Sequence, residues 1–225
     1  MLNFSEEISK NYIYTNDTKI KRYVDSHVFE VKGLQEGQKF THADMNSLNI
    51  LIVNTGKPLH IDPAEDFNYV IKYGVCREKT IDSEIYLPNQ EALQGLLRIL
   101  SGYLNEGALH PIGIEMEQHI MYILKHSNMK HKYLRFNTEE EYLKNIREFI
   151  ESVEVTNNSK ALFALRYGTG EEGGLFWLSK IGDYVDELLE EKAKTKIDFI
   201  YFPFSHGKDE DKVGIIEMDI FITGV

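Results

Sequence analysis

Ile216-Glu-Met-Asp-Ile-Phe-Ile-Thr223 decides the reading of the fold. Ile216, Met218, Ile220 and Ile222 alternate with Glu217, Asp219 and Thr223. A period of two places the first set on one face of a strand and the second on the other. That pattern belongs to a sheet with one face on the core and one in water, the habit of antiparallel sheets. The expectation is an α+β fold: a mixed or mainly antiparallel sheet with about three to five helices packed on it.

Working outward, Asp198 to Phe202, Leu175 to Leu178 and Lys160 to Tyr167 read as further strands. Toward the N-terminus, Val28 to Val31, Ile71 to Val75 and Glu84 to Leu87 read the same way, and the run Leu48 to Val53 reads as a strand buried on both faces. Leu93, Leu96, Leu97, Leu100, Tyr103 and Leu104 recur at helical spacing behind Asn89, a cap residue. A second helix runs from Asn137 or Thr138 to about Val153, opened by the capping pair Thr138 and Glu141. A third follows Ser179 with Ile181, Val185, Leu188 and Leu189 inward and ends in Lys192-Ala-Lys194. Asp62 and Pro63 suit the start of a short helix reaching Tyr69. Ile112 to Leu124 fits both periods, and helix is favoured.

A faint echo links Tyr73-Gly74, Ile85-Tyr-Leu87, a helix and Gly113 to Glu117 with Tyr167-Gly168, Phe176-Trp-Leu178, a helix and Ile215 to Asp219. It would record a β-β-α-β duplication, for which two copies with unequal gaps are thin support. No Pro/Gly/Ser-rich linker divides the chain, so residues 1–225 read as one domain with 1–26 as a peripheral arm.

The 225 residues carry a net charge of −11. Residues 151–225 hold much of it, in Glu171-Glu172, the run from Asp183 to Glu191, and Asp209-Glu-Asp211. A field of that sign repels nucleic acid and anionic membranes and attracts cationic partners. The first residues, with Glu6, Glu7 and Lys10, do not form a secretory signal, and the apolar runs are strand-sized. The lone Cys76 fits a reducing compartment, so the expected location is cytoplasmic.

Few motifs carry chemistry. Gly168-Thr-Gly-Glu-Glu-Gly173 matches G-x-G-x-x-G after a strand, but a dinucleotide fingerprint needs a helix to follow, and Gly174 to Leu178 reads as strand. Glu171 and Glu172 would also face a polyanion. His110, Glu115, His119 and His126 form the best metal candidate, since a helix would align Glu115 with His119 one turn apart and His126 further along. Glu117 and His131 lie near them in sequence. His60 with Asp62 could share one face of an extended segment, although Asp62 as a helix cap accounts for the same residue. Cys76 beside Arg77 has no base that would make it a nucleophile. Trp177, Tyr201, Phe202 and Phe204 supply core residues or interface anchors.

The reading this favours is a non-catalytic acidic inhibitor without a cofactor that occupies a basic protein partner, as a toxin-immunity or phage counter-defence protein does. Its expected contact residues are Glu171, Glu172, Asp209, Glu210 and Asp211. The alternative is a metal-assisted enzyme that holds a divalent cation on the histidine cluster.

Overall fold

The computed structural model describes residues 11–34, 48–57, 67–74, 84–104, 116–125, 128–136, 139–167, 174–205 and 216–224. Five strands, β1 (Asn11–Thr15), β2 (Phe29–Gly33), β3 (Asn49–Asn54), β4 (Tyr69–Tyr73) and β5 (Glu84–Leu87), form one sheet in the order β2-β1-β3-β4-β5. Every pairing in it is parallel. Parallel strands are buried on both faces, which is why Ile50 to Val53 is an unbroken apolar run. Ile13, Ile50, Ile52, Ile71 and Ile85 face the main core, whereas Tyr14, Leu51, Val53 and Val70 form a smaller cluster of their own.

Helix α1 (Gln90–Leu104) follows β5 directly. Asn89 caps it, its Oδ1 accepting from the Ala92 N–H at 2.9 Å. Leu93, Leu96, Leu97, Ile99 and Leu100 are all fully buried because α1 packs against strands of both sheets. A π-helical turn, Met116–Met121, runs into α2 (Tyr122–Leu124) and joins the same core, in keeping with the helical reading of that segment.

The second sheet contains β6 (Met129–Phe136), β7 (Lys160–Tyr167), β8 (Asp198–Ser205) and β9 (Ile216–Thr223) in the order β6-β9-β7-β8. β9 is antiparallel to both neighbours, and β7 pairs parallel with β8. Helices α3 (Glu139–Ser152) and α4 (Gly174–Ala193) cover one face, where Tyr142, Ile146, Ile150, Ile181, Val185 and Leu189 meet Phe163, Met218 and Ile220. Lys194, at φ 59°, ends α4 in the left-handed region. The other face meets the core that contains α1.

The architecture is therefore α/β, a five-stranded parallel sheet joined through α1 to a four-stranded mixed sheet, and not α+β with a mainly antiparallel sheet. The alternation along β9 is present, but its polar side is not wet: Asp219 is 1% and Thr223 0% exposed. Residues 11–15 are not a peripheral arm but an inner strand, paired on both sides. Tyr69 opens β4 instead of closing a helix, and residues 63–66 lie outside the described residues. Leu175 to Leu178 is helix, since a short apolar run has no period of its own to separate the two states. With that segment and Met116–Met121 both helical, the β-β-α-β duplication falls. Among the described residues no helix is long and apolar enough to cross a membrane.

Candidate functional site

Open parallel sheets bind ligands outside the carboxyl ends of their strands, where the strand order reverses. Here β2 lies to one side of β1 and β3 to the other, so the reversal falls between β1 and β3. Asn16 and Asn54 close that crevice: the Asn54 N–H donates to Asn16 Oδ1 at 2.8 Å, and Asn16 Nδ2 donates to the Asn54 carbonyl at 3.1 Å. Beside them the Asp17 carboxylate accepts from Tyr73 Oη at 2.6 Å, Lys57 Nζ at 2.9 Å, Asn54 Nδ2 at 3.0 Å and the Lys19 N–H at 3.1 Å.

Burial alone would raise the Asp17 pKa, but the hydrogen bonds from Tyr73, Lys57, Asn54 and Lys19 overcome it and hold the carboxyl far below its usual range. Burial and the Asp17 bond push the Tyr73 phenol well above its usual value. An acid that stays ionised and a phenol that stays protonated are both far from the neutral range where general acid-base groups work. The carboxyl end of this sheet ties its own loops together.

A second polar constellation lies between α1 and the mixed sheet. Arg98 of α1 donates from Nε to Asp219 Oδ2 at 2.9 Å and from Nη2 to Asp219 Oδ1 at 2.5 Å. His131 Nε2 is 2.9 Å from Asp219 Oδ1. Burial works to protonate Asp219, but His131 and Arg98 prevail and lower its pKa. The carboxylate is then acceptor-only, so His131 Nε2 carries the proton. Tyr133 Oη donates to Glu217 Oε1 at 2.5 Å, and Arg166 Nη2 lies 3.0 Å from Glu217 Oε2. Charges with imperfect pairing are the costly members of such a layer.

The third feature is on the surface. Along α4, Asp183, Glu187, Glu190 and Glu191 are exposed and Asp186 half-buried, while Ile181, Val185, Leu188 and Leu189 face inward. Steps of three and four residues align these carboxylates in one ridge. On neighbouring α3, Lys144 pairs with Glu148 at 3.8 Å and Arg147 with Glu151 at 4.0 Å. Among the described residues Asp183, Asp186, Glu187 and Glu190 have no such counterion. Arg147 Nε donates to Tyr184 Oη at 3.0 Å, which ties α3 to α4.

Most of the residues singled out in the sequence lie outside the described residues: Glu171, Glu172, Asp209, Glu210, Asp211, His110, Glu115, His126, His60, Asp62, Cys76, Arg77, and the side chains of Trp177, Phe202 and Phe204. His119 stands half-buried in the π-helical turn. Glu117, two residues before it, is engaged by Tyr69 Oη and by Lys125 Nζ, the latter at 2.7 Å. No group of three or more potential metal ligands exists among the described residues. His131 lies in the ionic layer beside Asp219. Residues 168–173 lie outside the described residues, yet the strand expected after them is α4. That objection to the glycine pattern falls, and the charge of Glu171 and Glu172 remains against it.

The residues missed in the sequence are Asn16, Asp17, Asn54, Lys57, Arg98 and Arg166. Asn54 to Lys57 carried the one local signal, a polar segment directly after an apolar strand, where parallel sheets place ligand-facing loops.

No protein-family model matches the chain, and no curated protein matches it. Solved structures similar to it include two of FtsZ from M. jannaschii, a point mutant and an empty dimer, each at TM-score 0.43 and 11% identity. These alignments cover 80% of this chain and 57% and 55% of those chains. CetZ2 from Haloferax volcanii, in a GTPγS-bound protofilament, is similar at TM-score 0.33 and 12% identity over 80% of this chain and 55% of that one. The chain thus spans little more than half the length of these structures, and likeness at this level does not extend to activity.

Proposed function

We propose that the chain is a non-catalytic acidic binding protein of the cytoplasm that occupies a basic surface on a partner protein, as an immunity or counter-defence protein does. The α4 ridge supports this most directly. Its carboxylates stand on one exposed side, and those from Asp183 to Glu190 lack counterions among the described residues. Such a ridge speeds encounter with a cationic surface and discourages acidic partners. The carboxyl end of the parallel sheet agrees, because Asp17 and Tyr73 are fixed in protonation states unsuited to proton transfer at neutral pH. Glu171, Glu172, Asp209, Glu210 and Asp211 are the further contact residues of this reading, proposed from the charge of the sequence alone.

The test is capture from host extract on immobilised wild type and on the double variant Glu187→Lys, Glu190→Lys. A basic protein kept by the first and lost by the second, with affinity that weakens as salt rises, is the expected result. An acidic partner, or an affinity indifferent to both salt and charge reversal, overturns the reading.

A further inference from the structure

We propose that β6, the outer strand of the mixed sheet, takes up an extended acidic segment of a partner protein as a further strand. The register of β6 on β9 shows which of its backbone groups are open. The Gly224 N–H donates to the Asn128 carbonyl at 3.0 Å, and these two residues stand opposite each other in the register that pairs Met129 with Thr223. In an antiparallel ladder, directly bonded pairs alternate with unbonded ones. Lys130, Lys132, Leu134 and Phe136 therefore bond to β9, and the N–H and C=O groups of His131, Tyr133 and Arg135 point the other way.

β6 ends the sheet on that side. Among the described residues no backbone group bonds to the outward groups of His131, Tyr133 and Arg135. His131 shows that this edge meets water: the residue as a whole is half-buried while its side chain is only 1% exposed, so the exposed part is main chain. A row of unpaired N–H and C=O groups is a template for another strand. The other sheet edges suit one less. β2 and β5 have five and four residues, and β8, though eight residues long, carries Pro203, which has no N–H to donate.

The side chains name the partner. Lys130, Lys132 and Arg135 are exposed, and none has an ion pair among the described residues. In a chain of net charge −11 they make a basic strand. Lys130 and Lys132, two residues apart, project from one face. A strand with acidic residues at alternate positions sets carboxylates opposite both, and such cross-strand pairs are favourable where like charges oppose pairing. A second copy of β6 would bring three further cations to the same edge. The same side chains thus discourage self-pairing and select an acidic strand.

The experiment adds a peptide as long as β6, eight residues of alternating glutamate and threonine, to the full chain, with a lysine-threonine peptide as its counterpart. Amide hydrogen exchange is followed residue by residue by NMR. The glutamate peptide should slow exchange at His131, Tyr133 and Arg135 and leave Lys130 and Lys132, already bonded to β9, unchanged. The lysine peptide should slow none of them. Lys130→Glu combined with Lys132→Glu should weaken binding of the glutamate peptide about tenfold. Equal protection by both peptides, lysine side-chain shifts without slowed exchange, or no response to the glutamate peptide overturns the proposal. So does protection that grows with the protein's own concentration in the absence of peptide, since the partner would then be a second copy. Should the double variant fail to fold, the comparison of the two peptides on wild type decides alone.

Discussion

Arg98 on α1 holds Asp219 on β9 by two hydrogen bonds, 2.9 Å from Nε to Oδ2 and 2.5 Å from Nη2 to Oδ1, across 121 positions of sequence. This bidentate pair fixes the helix shared by the two sheets onto the middle of the mixed one, and Asp219 is almost wholly buried beneath it. Substituting Asp219→Ala leaves Arg98 without its acceptor and His131 Nε2 without its own. The expected loss of stability is about 3–5 kcal/mol, the range for breaking one partner out of a buried pair. Urea unfolding measures it, and a loss below about 1 kcal/mol, the worth of a surface pair, would show that the layer is solvated.

Gly95 of α1 makes this pair reachable. A Cβ built there would lie 2.6 Å from His131 Nε2, 2.7 Å from Asp219 Oδ1 and 3.1 Å from Phe221 Cζ. Helix propensity alone favours alanine over glycine by about 1 kcal/mol. The close approach reverses the sign, so Gly95→Ala should destabilise. Gly182 of α4 is the control: a Cβ there meets its nearest neighbour, Tyr201 Cδ1, at an ordinary 3.4 Å, and Gly182→Ala should stabilise. Thermal midpoints that move in the same direction in both variants would contradict the account.

Where local pattern and final environment agree, the fold was legible. Leu48 to Val53 announced β3, and Asn89 with the leucine spacing announced α1 to within a residue. Strand direction was not legible, because it depends on partners far away in sequence. Nothing in Ile50 to Val53 says that β1 and β4 flank it in parallel. β6 escaped because Met129-Lys-His-Lys-Tyr-Leu-Arg-Phe136 looks half polar, and only the ionic layer explains why His131 is buried. The same layer misled the reading of β9, where a buried charged face has the same period as a wet one. Its members come from four separate elements, so no spacing rule joins Arg98, His131, Arg166 and Glu217. The α4 ridge was visible as an acidic run from Asp183 to Glu191, but which of its carboxylates have counterions needed α3 beside it.

Acid should expose how much the fold depends on two ionised carboxylates. Asp17 and Asp219 both have folded pKa values held below the ordinary carboxylate value. A depressed pKa means that the unfolded chain takes up protons first as pH falls. The stabilisation is complete above the unfolded value of about 4 and is lost progressively below it. Unfolding free energy should therefore be level near pH 6 and fall steeply below about pH 4. Asp17→Asn, which removes one of the two, should lower stability at neutral pH and flatten the acid slope. An acid slope equal to that of wild type would mean that Asp17 titrates normally.

Tyr201 offers the opposite case, a group whose removal should help. It lies on β8 opposite Phe163 of β7, on the face covered by α3 and α4. Its hydroxyl is buried without a hydrogen-bond partner among the described residues, and burial pushes the phenol pKa far above its usual value. In the unfolded chain that hydroxyl is hydrated, so folding carries a desolvation cost that no bond offsets. Tyr201→Phe keeps the ring and its packing while removing the oxygen, and the expected gain is about 1 kcal/mol. The urea midpoint should rise with an unchanged slope. A lower midpoint would mean that a water or another group satisfies the hydroxyl, and the α3–α4 side of the core would then be more polar than its side chains suggest.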